Sequence, residues 1–154
     1  EYNAGFNLNL DGYEYETGCV KFFDKAKWYK KQILDKNRYF AYVINKQDNL
    51  PLGYVNFHFD EIKLRHTCGV IIEYKYRNKG YGREALNLLL NKAFTEYNLD
   101  SLSCSLSYKD TKTLKFFMNN GFKDIKEDYY IKKFNRNERY ITLSYTKDDY
   151  NKKV

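Results

Sequence analysis

The segment Val70-Ile71-Ile72-Glu73-Tyr74-Lys75-Tyr76-Arg77-Asn78-Lys79-Gly80-Tyr81-Gly82-Arg83 carries the pattern best suited to chemistry in this chain. A hydrophobic strand runs into a basic, glycine-bearing turn, and the turn enters a long helix. Gly80 and Gly82 allow backbone dihedrals and a closeness of approach that a side chain would block. The first N–H groups of the following helix have no partner inside it, and with the positive end of the helix dipole they form a nest for an anion. Arg77, Lys79 and Arg83 add positive charge at its edge. A pyrophosphate is the natural ligand for such a turn; a plain tight turn with solvated charges explains the same residue types. The segment is neither the phosphate loop GxxxxGK[ST] nor the dinucleotide fingerprint GxGxxG.

The elements that must hold this turn are legible on both sides of it. Asp24–Lys36 reads as a mostly charged helix containing Trp28, Ile33 and Leu34, with Asp24 as its cap. Arg38 to Ile44 is aromatic and β-branched, hence a strand. After the turn Asp48-Asn49-Leu50-Pro51, Leu52 to Asp60 alternates Gly53, Val55, Phe57 and Phe59 with Tyr54, Asn56, His58 and Asp60. Thr67 to Tyr74 is the next expected strand. Ala85, Leu86, Leu89, Leu90, Ala93, Phe94 and Tyr97 recur at helical spacing from Gly82 to Tyr97. The period then drops to two, with Leu102, Cys104, Leu106 and Tyr108 opposed to Ser101, Ser103, Ser105 and Ser107. Asp110 caps a short helix whose inward side is Leu114, Phe117 and Met118, closed by Asn120-Gly121. Strands near Phe122 to Phe134 and over Tyr140 to Thr146 complete the chain, with a hairpin at Asn135 to Glu138. This order describes an α/β layered protein built on a mixed sheet.

Residues 1–154 read as one domain, with an atypical N-terminal segment over 1–23 and a frayed Lys-rich tail over 147–154. The 27 Lys and Arg against 20 Asp and Glu leave a net charge of +7, which favours anionic partners such as nucleic acid, acidic surfaces or a phosphorylated cofactor. The 17 Tyr and 11 Phe argue against disorder. Cys19, Cys68 and Cys104 lie far apart without a CxxC pair, so neither a disulfide framework nor a zinc knuckle is expected, and reduced thiols packed in strands are. With two histidines and no ligand cluster, no metal site is expected. No apolar run is long enough to span a bilayer, and the first residues lack a signal-peptide pattern, so a cytoplasmic protein without a membrane partner is expected.

Arg77-Asn78-Lys79-Gly80-Tyr81-Gly82 resembles the R/Q-x-x-G-x-G/A signature that binds acyl-CoA in the GNAT superfamily of N-acetyltransferases. Asp110-Thr111-Lys112-Thr113, followed by a short helix and Gly121-Phe122, is similar to its second block. The resemblance covers Trp28 to Tyr150, and the closing hairpin is most similar to the ribosomal-protein-alanine and spermidine N-acetyltransferase branches. Asp110 stands where the family has Asn, Thr113 where it has Ser or Ala, and Phe117 where many members carry a tyrosine acid. The family's first strand has no clear counterpart before Asp24.

The resemblance implies the acyl-CoA N-acyltransferase fold, a mixed and mostly antiparallel sheet flanked by helices, with acetyl-CoA as cosubstrate. The cofactor would lie in a V between the strands Cys68–Tyr74 and Ser101–Tyr108. Val70, Ile71 and Ile72 would offer main-chain groups to the pantetheine, and Arg77, Asn78, Lys79, Gly80, Tyr81, Gly82 and Arg83 would hold the pyrophosphate. Asp110, Thr113 and Phe116 would flank the pantetheine. Transfer to an amine needs a proton acceptor, and Glu73 is the first choice and His58 the second, His58 by its ordinary pKa of about 6.5. A strand-end carboxylate and a solvated histidine are the plain readings of the same residues. Tyr108 would protonate the departing thiolate, although its parity with Leu102, Cys104 and Leu106 equally fits core packing.

The expected acceptor is a primary amine of a small molecule or a protein N-terminus, reached by direct attack. Asp60, Glu61, Glu73, Glu127 and Asp128 would draw a cationic amine, or are simply surface charges among lysines. The family is compatible with a homodimer. Two rival functions stay open: a non-catalytic acyl-CoA-binding protein of the same fold, favoured by Phe117 and Asp110, and nucleic-acid binding through basic and aromatic residues. Against the second, the basic residues are scattered among acids except around the proposed cofactor turn.

Overall fold

The computed structural model describes residues 30, 34–133 and 136–154. The segment 1–23, and with it Cys19, lies outside the described residues, as does most of the expected helix over Asp24–Lys36. The strands form one mixed sheet in the order β1-β2-β3-β4-β7-β5, with β6 also paired to β7. They are β1 (Arg38–Ile44), β2 (Pro51–Asp60), β3 (Arg65–Ile72), β4 (Ser101–Ser107), β5 (Lys123–Asp124), β6 (Tyr129–Lys133) and β7 (Arg136–Thr146). The helices flanking the sheet are α1 (Tyr81–Asn91), extended by one wider turn over Lys92–Glu96, α2 (Thr111–Asn119) and α3 (Lys147–Lys153). By contact the residues group into two compact units, one holding the described residues up to His58 with Gly69–Leu89, the other Phe59–Cys68 with Leu90–Val154.

In the first unit, β1 and β2 pair antiparallel from Arg38↔His58 to Val43↔Gly53, with a bulge before Ile44↔Pro51. The connecting turn closes because Asn49 adopts φ +58°, a left-handed conformation that asparagine tolerates. The alternation in β2 appears directly: Leu52, Val55 and Phe57 are buried, and Tyr39 stacks on Phe57 with ring centroids 5.3 Å apart. Gly53 is required by close approach, since a Cβ there would stand 1.9 Å from the Ile71 carbonyl oxygen. Next to it, the Glu73 N–H donates to the Leu52 carbonyl at 2.8 Å. These contacts fix the end of β3, from which the basic turn departs. Along α1, Ala85, Leu86 and Leu89 are buried, as the spacing requires.

In the second unit, β4 pairs parallel to β3 at Thr67↔Ser103 and antiparallel to β7 from Ser101↔Thr146 to Ser107↔Tyr140. Leu102, Cys104, Leu143 and Tyr145 are buried together with Phe94, Leu114, Phe117 and Phe122. Phe122 stands between Phe117, at 5.0 Å, and Tyr145, at 5.4 Å. Gly121 ends α2 at φ +99°, and a Cβ there would come within 2.7 Å of the Tyr145 ring.

Several expectations need correction. The strand expected to reach Tyr74 stops at Ile72, because Glu73 opens a single 3₁₀ turn over Tyr74–Tyr76. Tyr108 lies beyond β4, so its parity with Leu106 does not carry it inward, and it is exposed. Met118 is exposed while Leu114 and Phe117 face inward. On the serine face of β4, Ser103 is buried against the hydroxyl of Ser144 at 3.4 Å. The tail expected to fray is α3: the Thr146 hydroxyl accepts the Asp149 N–H at 3.1 Å, acids occupy its first turn and lysines its last. Tyr150 packs on Phe94 at 5.3 Å and Lys123 pairs with Asp149 at 2.7 Å, which hold the helix in place.

Candidate active site

Past β3 the chain leaves extended conformation in three steps. Glu73 accepts the Tyr76 N–H at 2.9 Å and Tyr74 the Arg77 N–H at 3.2 Å, closing the 3₁₀ turn. Arg77 is extended again, Asn78 is left-handed at φ +59° and Gly80 at φ +88°. The Gly80 carbonyl then accepts the Glu84 N–H at 3.2 Å, so helix α1 starts directly on the turn. The amides of Tyr81, Gly82 and Arg83 therefore fall in the first helical turn, where geometry offers no carbonyl four residues back. A Cβ at Gly80 would meet nothing within 4 Å, so the space beside Gly80 is open.

Charge around the turn is divided between structure and solvent. The Arg77 Nε donates to the Ile72 carbonyl at 2.8 Å, and its guanidinium lies 5.8 Å from the Tyr74 ring centroid. Lys79 and Arg83 are exposed. Lys75 is held by the Glu73 carboxylate at 3.3 Å, which raises the lysine's pKa above its ordinary value. This arrangement of amides, dipole and cations fits a diphosphate.

The expected main-chain and base residues of the same unit are placed as follows. Val70 and Ile71 are half-buried and Ile72 is buried. The Ile72 carbonyl already serves Arg77. His58 is half-buried on β2 opposite Arg38. It lies six residues along that strand from Leu52, the partner of Glu73, or about 20 Å at the usual rise of a strand. The two candidate bases therefore stand apart.

In the second unit, the Asp110 carboxylate caps α2 by accepting the Thr113 N–H at 3.1 Å. Its replacement of asparagine keeps this cap, because either side chain offers the accepting oxygen. Thr113 and Phe116 are half-buried on the first turns of α2. Phe117 is enclosed by Phe116 at 5.2 Å and Phe122 at 5.0 Å, as an aromatic core residue would be. Tyr108 is exposed, with its N–H donated to the Arg139 carbonyl at 3.0 Å.

Desolvation pushes the Cys68 thiol up to about 12. The Cys104 thiol is raised as well, chiefly by its own burial and further by Cys68. Both are thus protonated at neutral pH and poor nucleophiles. Most of the carboxylates considered for a cationic acceptor are occupied: Glu127 pairs with Arg65, Asp128 accepts from Arg139 Nε at 2.8 Å, and Asp60 caps its own turn at Ile62 at 2.9 Å. One buried carboxylate, Glu138, escaped the sequence reading. Its only signal there was a shared parity with Tyr140, Thr142 and Ser144.

Residues 14–123 match the acetyltransferase (GNAT) domain family. The chain belongs to the GNAT family. It is an acetyl-CoA-dependent acetyltransferase by that membership, a class acting on amines. A spermidine N(1)-acetyltransferase of Vibrio cholerae is 27% identical over 142 residues, which cover 90% of this chain and 79% of the relative. Among solved structures, a chimera of the Vibrio cholerae spermidine N-acetyltransferase SpeG with hSSAT superposes at a TM-score of 0.78 with 20% identity, covering 98% of this chain and 90% of the other. A GNAT acetyltransferase from Bacillus anthracis reaches a TM-score of 0.64 at 21% identity, covering 79% of this chain and 72% of its own. These structural likenesses establish the GNAT fold. Membership of the family implies an acetyl-CoA-binding site. No helix among the described residues is long and apolar enough to cross a membrane.

Proposed function

We propose that this GNAT protein transfers the acetyl group of acetyl-CoA to a primary amine of a small molecule or a protein N-terminus by direct attack, with polyamines the first acceptor class. The observation that carries the reading is the left-handed pair Asn78 and Gly80 delivering the chain straight into α1, with the approach to Gly80 open. Polyamines come first because the curated relative at 27% identity is a spermidine acetyltransferase.

Acetyl-CoA supplies an activated thioester carbonyl. The amides of Tyr81, Gly82 and Arg83, with Lys79, Arg77 and Asn78, hold its pyrophosphate, and Val70, Ile71 and Ile72 pair with the pantetheine through their main chain. Asp110, Thr113 and Phe116 flank the pantetheine. As the amine nitrogen bonds to the thioester carbon, the C–S bond breaks, and the amine proton passes to Glu73, directly or through water. His58 is the second candidate for that proton. Tyr108, exposed at the end of β4, protonates the leaving thiolate; Phe117 has no proton to give. The high thiol pKa of Cys68 supports direct attack over an acyl-enzyme.

A second reading is favoured by Phe117 in its aromatic enclosure: a GNAT protein that binds acyl-CoA and does not transfer it. Calorimetric titration with acetyl-CoA, against CoA and ATP, tests the shared part. Saturable binding of acetyl-CoA and CoA, weakened by Gly82→Trp at the start of α1, supports both readings. No binding by folded protein overturns both. Thiol release that depends on an added amine then selects the enzyme.

A further inference from the structure

Glu138 opens the part of β7 that runs beside the end of β4, and it is only 7% exposed. Its Oε1 accepts the Ser107 hydroxyl at 2.8 Å. The same hydroxyl oxygen accepts the Lys109 N–H at 3.2 Å, and the Ser107 carbonyl accepts the Asp110 N–H at 3.0 Å. From the next residue of β7, the Arg139 carbonyl accepts the Tyr108 N–H at 3.0 Å. Asp110 in turn caps α2 at Thr113. Four consecutive residues, Ser107 to Asp110, are thus held by one carboxylate, two carbonyls and one hydroxyl that both donates and accepts.

The hydroxyl decides the geometry. A serine has one proton to donate, and a carboxylate is an acceptor only. With Glu138 in place, the proton points at β7 and a lone pair is left for the Lys109 amide. Without it, the hydroxyl turns to another acceptor, and the turn loses its side-chain tie to β7, keeping only the main-chain bond from Tyr108 to Arg139. A charge-assisted bond of this kind, sheltered from water, is about twice as strong as a neutral one.

We propose that Glu138 is a positioning residue for acetyl transfer: through Ser107 it fixes the β4–α2 turn that presents Tyr108 and Asp110. The inference rests on the function proposed above, in which Tyr108 protonates the leaving thiolate and Asp110 flanks the pantetheine. Glu138 itself takes no proton in that reaction.

The test compares Glu138→Gln, Glu138→Ala, Ser107→Ala and the double variant Ser107→Ala with Glu138→Ala. Each is assayed with acetyl-CoA and spermidine well below its own melting temperature. Glutamine keeps an accepting oxygen, so Glu138→Gln should hold kcat within about threefold of the parent. Glu138→Ala and Ser107→Ala should each lower kcat by about 10- to 100-fold, the scale of a small misplacement at a reacting centre. Affinity for acetyl-CoA, measured by calorimetry, should fall by much less than kcat, because the pyrophosphate turn is untouched, and the double variant should be no worse than the worse single one. If Glu138→Ala does not fold, Ser107→Ala and Glu138→Gln carry the comparison. An active parent whose Ser107→Ala and Glu138→Ala variants keep full kcat overturns this role alone, as do losses that multiply in the double variant or a Glu138→Gln enzyme as slow as the alanine one. A parent that releases no thiol with any amine overturns the proposed function, and this role with it.

Discussion

The Arg77 guanidinium reaches back to the strand that the chain has just left, donating from Nε to the Ile72 carbonyl at 2.8 Å. The bond spans the whole 3₁₀ turn and ties the left-handed Asn78 to the end of β3. In the proposed function, Arg77 therefore shapes the anion site as much as it charges it. Arg77→Lys keeps the charge but cannot place a planar fork on the same carbonyl. We expect Arg77→Lys and Arg77→Ala to weaken acetyl-CoA binding alike, by about tenfold or a loss near 1.4 kcal/mol. Calorimetry on both variants checks this; a lysine variant that binds like the parent would show that only the charge matters.

Two glycines should respond to alanine for different reasons. At Gly53 a Cβ would stand 1.9 Å from the Ile71 carbonyl oxygen, an overlap with backbone that no rotamer relieves. Gly53→Ala should destabilise the fold by at least the 1–3 kcal/mol typical of overpacking, visible as a lower thermal midpoint. At Gly80 a Cβ meets nothing, and only the φ of +88° resists it. Gly80→Ala should cost about 1–2 kcal/mol of stability, the strain of an L-residue in a left-handed conformation, and show its main effect on acetyl-CoA affinity.

How far the sequence reached is visible at these positions. Strand and helix order followed from period, because Leu102, Cys104 and the α1 stripe must each face one core. The turn into α1 followed from Gly80, which is left-handed there. Tyr108 did not, because parity holds only while the strand lasts and β4 ends one residue before it. The α3 helix was hidden by its lysines, since its anchors, Phe94 and Lys123, are distant in sequence. Glu138 was hidden for the same reason: burial of a carboxylate is decided by what stands across the sheet, here Ser107.

Stability should fall in two separate steps on acidification. Burial lowers the His66 pKa, outweighing the opposing effect of Asp100. The unfolded chain, with its histidine near about 6.5, takes up that proton first, so stability is lost as pH falls below that value. Asp149, accepting from Lys123 and Thr146, and Asp124, accepting from the Lys126 amide, have lowered pKa values. Their contribution is complete above the ordinary carboxylate value of about 4 and is lost as pH falls through the folded-state values. Melting curves from pH 8 to 3 should show both steps, and His66→Phe should remove the first while leaving the second. A first step that survives in His66→Phe assigns it to another group.

Thiol chemistry offers an independent check on direct attack. With Cys68 pushed up to about 12 and Cys104 raised as well, iodoacetamide at pH 8 should leave both unmodified in the folded protein. Activity should persist. Inactivation that tracks alkylation of either residue, located by peptide mass, would point to a covalent route.

The most direct measurement is amine-dependent release of CoA thiol from acetyl-CoA, with spermidine, a simple primary monoamine and an alanine-initiated peptide as acceptors and the products identified by mass. The account predicts release only when an amine is present, one acetyl group on the product amine for each thiol, and the highest kcat/KM with the polyamine. Saturable acetyl-CoA binding with no thiol release from any of the three would contradict it, and would leave a GNAT protein that holds the cosubstrate without transferring its acetyl group.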